Sequence, residues 1–315
     1  MALDNLESLR MPHYEAYGLI LASPTLPFPE LLAGEGRVDV FIEVNQIESV
    51  ASHEHSPILC VDVLPNRVHL TWGKVGDLLL EEGQRITVVP APDAGEDALR
   101  LFILGAGLGV LLHQRGLLVL HASGVVIEDQ VVGFIGAKGY GKSTMAATLH
   151  QRGHALISDE LLVVRFDDQG QPWVIPGSPQ IKLWGDALVS TGGDPDSAVR
   201  LRPGVDKFHV NAASFAPNEL PFQSLYLLGG GGELSIQSMS PSEAFLGVVP
   251  HLYVYRFGTS FLQAMGMVHT FKQLNRLLKT VTVKRLLRQR DLSQLPETAE
   301  RVEQDVLHDI ESAKS

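Results

Sequence analysis

The chain has 315 residues, 45% apolar and 19% charged, which fits one large or two modest globular domains and excludes a disordered polymer. Its net charge of -11 argues against a nucleic-acid or anionic-membrane surface, because phosphate-rich partners are repelled at long range. Cys60 is the single cysteine, so neither an intrachain disulfide nor a thiolate metal cluster is available, and a reduced cytoplasm is the expected home.

The opening Met1-Ala2-Leu3-Asp4-Asn5-Leu6-Glu7 is acidic and lacks the basic-then-apolar order of a secretory signal. Up to about Pro92 the chain reads as short strands: Tyr17–Leu21, Val38–Val44, Ile58–Val63, Val68–Trp72 and Ile86–Val89 are rich in Val, Ile and Leu and broken by Pro, Gly and Asn. Asp93-Ala94-Gly95 marks a boundary, giving an N-terminal β-rich domain over 1–94 and a second domain over 95–315. A helix is predicted from Glu96 to Gln114, with acids in its first turn and Gly116 just beyond its end. Within it, the uncharged run Leu101–Leu112 spans twelve residues with three glycines, short of the roughly twenty needed to cross a bilayer, so it reads as buried helix.

From Leu117 the grammar becomes α/β. Leu117–His121, Val125–Ile127 and Gln130–Ile135 read as strands, and the last runs straight into a Gly-rich loop. A helix over Lys142–Arg152 closes at Gly153, and Ala155–Ile157 is a further strand, placed beside the loop's own strand. Leu161–Phe166 and Trp173–Ile175 read as a hairpin. Beyond Trp184 the pattern weakens: Ser190–Asp194 and Gly229–Gly232 read as loops, and Ser242–Leu246, Phe261–Leu278 and Pro296–Ile310 as helices.

The loop Gly136-Ala137-Lys138-Gly139-Tyr140-Gly141-Lys142-Ser143 satisfies G-x-x-x-x-G-K-[ST], with Thr144 next in the helix. Glycines let the backbone wrap phosphate so that successive N–H groups face its oxygens, and the helix start adds partial positive charge. Lys142 is suited to the β- and γ-phosphates and the Ser143 hydroxyl to magnesium. The pattern therefore implies a nucleoside triphosphate, ATP, with Mg2+. Ser158-Asp159-Glu160 follows a strand, where α/β sheets bind ligands. One carboxylate there can hold magnesium and the other accept a hydroxyl proton, although acids at such a turn also simply cap the next element.

Three elements in order, Leu120-His121-Ala122-Ser123-Gly124, the loop through Thr144, and Arg152-Gly153-His154 leading to Asp159-Glu160, resemble the HPr kinase/phosphorylase family over about residues 117–166. The resemblance implies a P-loop kinase core related to HPr kinase and phosphoenolpyruvate carboxykinase, and phosphoryl transfer to a serine of a peptide or small protein. It implies phosphate and metal roles for Lys142 and Ser143, the catalytic acid pair for Asp159 and Glu160, and a supporting role toward those acids for His121. The second acid here is glutamate where that family has aspartate, and the family's glutamate-isoleucine-arginine-glycine signature is absent, so phosphorylase activity is not implied. Pro176–Trp184 and Pro203–Lys207 are similar to HPr-kinase-like proteins associated with peptide modification, including lasso-peptide kinases.

Lys182, Arg202 and Lys207 are candidates for holding transition-state charge, weighed against ordinary surface positions. The basic group Lys272, Arg276, Lys279, Lys284, Arg285, Arg288 and Arg290 is read as a solvated helix face that the acidic segment after Glu297 neutralises. An acidic peptide, nucleotide phosphates or a neighbouring subunit of a homo-oligomer are its alternative partners.

Overall fold

The computed structural model describes residues 11–45, 59–64, 67–202 and 204–314; Met1–Glu7, Ile58 and Pro203, used above, lie outside them. The chain divides into two compact units, Met1–Leu117 with Phe257–Met267, and Leu118–Arg256 with Val268–Ser315. No helix among the described residues is long and apolar enough to cross a membrane.

In the first unit the strands are β1 (His13–Ala16), β2 (Leu19–Ala22), β3 (Leu32–Ala33), β4 (Val40–Val44), β5 (Cys60–Leu64), β6 (Arg67–Trp72), β7 (Gly76–Glu81) and β8 (Arg85–Pro90), in the order β3-β1-β2-β4-β8-β7-β6-β5. Period-two alternation buries Val68 and Leu70, Leu78 and Leu80, Ile86 and Val88 on one face. Helices α1 (Glu96–Phe102) and α2 (Leu108–Gln114), joined by the π-helical turn Ile103–Gly107, cover the sheet. Phe102 meets Trp72 edge-on at 5.6 Å, and a Cβ at Gly107 would stand 3.1 Å from Leu78. The segment from Glu96 thus packs with the first unit, whereas the sequence reading assigned it to the second domain. From Gly105 to His113 the segment is buried on every side, which fits its uncharged sequence and the sheet face that Phe102 and Gly107 pack against.

The second unit carries β9 (Leu118–His121), β10 (Ser123–Ile127), β11 (Gln130–Ile135), α3 (Lys142–Gln151), β12 (Ala155–Ser158), β13 (Leu161–Phe166), β14 (Pro172–Ile175), β15 (Gln180–Trp184), α4 (Gly185–Ser190), β16 (Val199–Arg200), β17 (Lys207–Asn211), β18 (Leu220–Gly230), β19 (Ser235–Ser238) and α5 (Pro241–Val248). The short α6 (Thr259–Ala264) returns to the first unit; α7 (Met267–Leu277), β20 (Thr282–Arg288) and α8 (Leu295–Lys314) follow. The main sheet runs β12-β10-β11-β18-β14-β13-β9, with β20 paired to β18 and β19 to β20. A small sheet, β15-β17-β16, stands beside it.

Strand β11 explains the layering. Val131 and Ile135 enter one core with Leu162, Leu225, Leu274 and Leu277, while Val132 and Phe134 enter another with Met145, Leu149, Tyr226, Ala299 and Val302. Both faces are covered, so the strand reads as a continuous apolar run. Strands β11, β18 and β20 are parallel, and β12 runs in the same sense because both β11 and β12 pair antiparallel with β10. Their carboxyl ends therefore share one edge, where Gly136, Asp159 and Arg288 emerge.

Three expectations change here. Strand β12 lies beside β10, one strand removed from β11. Gly229 and Gly230 finish strand β18 instead of forming a loop, and a Cβ at Gly229 would stand 2.7 Å from Leu287. Lys284, Arg285 and Arg288 belong to strand β20, not a helix face. Lys284 is buried there because Asp305 and Asp309 of α8 each approach its ammonium at 2.7 Å.

Candidate active site

The loop after β11 turns through Gly136, Gly139 and Gly141 with φ of 155°, 81° and 87°, values that side-chain-bearing residues rarely adopt. Gly141 is the N-cap of α3 in the left-handed conformation, and Lys142 and Ser143 open the helix. The buried Lys142 ammonium donates to the Gly136 carbonyl at 3.0 Å, reaching back across the loop that it must serve. Burial, reinforced by nearby Lys207, lowers its pKa, against the opposing pull of Asp159 and Glu160.

Asp159 is where the loop and the β12–β13 turn meet. Its Oδ1 accepts from Ser143 Oγ at 2.8 Å and from Ser123 Oγ at 2.5 Å, and its Oδ2 accepts from the Lys182 backbone N–H at 2.9 Å. Ser123 begins β10, the strand between β11 and β12, so the sheet order itself brings this hydroxyl under the carboxylate. Glu160 follows at φ 76°, a left-handed conformation that costs a non-glycine residue on the order of 1–3 kcal/mol and is typical of functional turns. Its Oε2 lies 2.5 Å from Lys182 Nζ. Burial works to raise this carboxyl, but the charge and hydrogen bond of Lys182, with help from His121 and Lys207, hold it at about 2.

His121 ends β9, directly opposite Leu161 on β13, with Nδ1 3.2 Å from the Glu160 carbonyl. Burial first, and then the Lys142 charge, depress its pKa to about 4. The ring is therefore neutral near pH 7 and donates its Nδ1–H to that carbonyl, fixing the peptide that carries Glu160. Tyr253 flanks it, with ring centroids 6.1 Å apart, and Arg256 lies over the Tyr253 ring at 4.9 Å.

His121, Ser123, Lys142, Ser143, Asp159, Glu160, Lys182 and Arg256 line a cleft of about 830 Å³ together with Lys138, Tyr140, Thr144, Trp184, Lys207, Arg288 and Arg290. Of the three isolated basic candidates, Lys182 and Lys207 reach it and Arg202 is not among its lining residues. Ser123, Trp184 and Arg256 also line the cleft, and no local pattern in the sequence marks them as site residues. The basic group contributes only Arg288, at the end of β20, and Arg290, two residues beyond it.

The donor set suits magnesium. A hydroxyl and a carboxylate oxygen stand 2.8 Å apart, and Mg2+ characteristically takes one or two protein oxygens while phosphate and water complete its octahedron. Among the described residues no group of three or more His, Cys, Asp or Glu assembles as a metal cluster, which is a different kind of site.

No protein-family model matches this chain, and no curated protein matches it. Among solved structures, the HPr(Ser) kinase/phosphatase from Coxiella burnetii is similar at a TM-score of 0.33 and 14% identity, over 62% of this chain and 99% of that one. The cleft's own residues carry the functional reading.

Proposed function

We propose that the protein is an ATP- and magnesium-dependent kinase that transfers the γ-phosphoryl group to a hydroxyl, most directly a serine of a peptide or small protein. The observation that carries this reading is the 2.8 Å bond from Ser143 to Asp159, which joins the phosphate loop to an acid pair within one cleft. Binding nucleotide needs the loop alone; the second carboxylate beside it, held at φ 76°, is the group an acceptor hydroxyl would use.

The roles divide by what each acid already holds. Asp159 is committed to Ser143, Ser123 and the Lys182 N–H, the arrangement expected of a group that fixes magnesium with Ser143. Magnesium, when bound, supplies charge neutralisation for the phosphate oxygens. Glu160 lies beside it in the cleft, ionised at physiological pH, and is the group proposed to orient the acceptor hydroxyl and take its proton as the new O–P bond forms. The bond from the γ-phosphorus to the β,γ-bridging oxygen breaks, ADP leaves, and Lys142 steadies the charge that develops on the phosphates. His121 fixes the Glu160 peptide.

Lys182, Trp184 and Lys207 favour a chain-like acceptor. Lys182 and Trp184 share one face of β15 by period-two spacing, and Trp184 pairs with Lys207 across β17. Trp184 is 45% exposed, an aromatic surface open to a peptide beside Glu160.

The test is γ-labelled ATP with magnesium, a native cell extract and the purified protein, run beside the Asp159→Asn, Glu160→Gln double variant. Label on a peptide or protein with the wild type alone is the expected result. Label confined to a small metabolite would redirect the reading to a small-molecule kinase. No label, with tight ATP binding by both proteins, would overturn it in favour of a nucleotide-gated binding protein.

A further inference from the structure

The end of strand β20 and the two residues after it bring two guanidinium groups to the flank of the phosphate loop. Arg288, its last residue, is 6% exposed; its Nη1 donates to the Gln289 carbonyl at 3.1 Å and its Nη2 to the Tyr140 carbonyl at 3.4 Å. Arg290 donates to the Gly139 carbonyl at 3.0 Å and lies over the Tyr140 ring at 5.3 Å. Both line the same cleft as Lys142 and Ser143.

What these two groups lack is a counter-charge. Their acceptors are backbone carbonyls, and among the described residues no carboxylate stands within ion-pair distance of either. Lys284, four residues earlier on the same strand, shows the alternative, with two aspartates on one buried ammonium. Taking a guanidinium out of water without an anion is costly, and here burial and the neighbouring Arg290 both act against the Arg288 charge. A buried, anion-free cation at the rim of a phosphate loop is an arrangement that a polyanion completes. Gly141 belongs to it as well: its φ of 87° favours glycine, and a Cβ there would stand 2.6 Å from Arg288 Nη2, so the guanidinium lies close against the loop.

We propose that Arg288 and Arg290 form the second half of the phosphate site, binding the phosphate chain of the nucleoside triphosphate alongside Lys142. The proposal rests on the nucleotide reading above and extends it to residues well over a hundred positions away in sequence. The two positive charges add to that of Lys142 and favour a triphosphate over fewer phosphates, and each side chain supplies N–H donors to phosphate oxygens.

Binding is measured by calorimetry on the full chain with MgATP and with inorganic tripolyphosphate, for wild type, Arg288→Gln, Arg290→Gln and Arg290→Lys, with circular dichroism to confirm folding. Glutamine keeps a donor for the loop carbonyls and removes the charge, whereas lysine keeps the charge. Each glutamine variant is expected to weaken both ligands at least tenfold, and Arg290→Lys to stay within about threefold of wild type. Affinities within twofold of wild type in the folded glutamine variants would overturn the proposal, as would equal losses with glutamine and lysine, which describe a brace of the loop and not an anion site. Should Arg288→Gln fail to fold, the exposed Arg290 pair decides alone. Wild type that binds neither ligand would sink the nucleotide reading together with this one, while wild-type binding with unaffected variants would sink this one only.

Discussion

Replacing Lys182 by methionine tests the electrostatics of the cleft most directly. The Lys182 and Glu160 side chains are 16% and 23% exposed, so their 2.5 Å contact is only partly screened by water. Glu160 is held at about 2 from an ordinary 4.5, and at 1.36 kcal/mol per pKa unit that difference amounts to roughly 3 kcal/mol favouring the folded, ionised state. A depressed carboxylate stabilises the fold above its unfolded pKa and loses that contribution as pH falls from 4.5 toward 2. In Lys182→Met the burial that raises the carboxyl loses its main opponent. The variant should therefore be less stable than wild type by roughly 3 kcal/mol at pH 7, with the gap narrowing below pH 4.5. Adding Glu160→Gln should recover much of the loss by removing the stranded charge. Urea unfolding of the four proteins of the cycle, at pH 7 and at pH 3, provides the measurement. A coupling below about 0.5 kcal/mol at pH 7, or a gap equal at both pH values, would refute the reasoning.

Other perturbations follow from single contacts. Gly141→Ala places a side chain at φ 87° and into Arg288, so ATP binding should be lost and stability should fall by about 1–3 kcal/mol, read by calorimetry and thermal melting. Lys284→Met leaves Asp305 and Asp309 facing each other beneath the sheet, and should cost roughly 3–5 kcal/mol in urea unfolding; replacing both aspartates as well should restore part of it. Glu303→Gln removes the shared partner of Arg152 and His154 and should cost only about 1 kcal/mol, since Arg152 is partly solvated. The Arg152 bond lowers the Glu303 pKa, so that loss should be present at pH 7 and fade in acid. Ser123→Ala takes a buried hydroxyl from Asp159 and should cost about 1–2 kcal/mol, with magnesium-dependent ATP binding weakened more than binding without the metal.

The loop, the acid pair and the histidine were legible because each depends on local chain geometry. Glycines at positive φ, a strand ending in a turn and a helix beginning at Lys142 all leave marks within a few residues. Arg288 was legible only as one member of a basic group read as a helix face, with nucleotide phosphates among its alternative partners. The segment Thr282–Arg288 sets a charged pair, Lys284-Arg285, beside an apolar pair, Leu286-Leu287, so period-two alternation is lost, and what keeps Lys284 inside is a pair of aspartates on a helix about twenty residues later. Strand β18 was hidden for a related reason. Buried on both faces, it shows no alternation, and its closing glycines read as a loop, although the Leu287 side chain fills the place that a side chain at Gly229 would take. The helix from Glu96 was found with its limits, but a segment buried on every side from Gly105 to His113 carries no stripe to show what it packs against.

The parallel pairing of β11, β18 and β20 also sets an order of events during synthesis. The loop at 136–143 leaves the ribosome early, yet the helix that follows it packs Met145 and Leu149 against Leu295, Ala299 and Val302 of α8, and its flank is closed by β20. Parallel neighbours require long crossovers, so these contacts bring together segments separated by about 150 residues and close last. A nascent chain thus displays the glycine-rich loop long before the segments that pack around it have been made, and any ligand that needs both would stabilise only the finished fold.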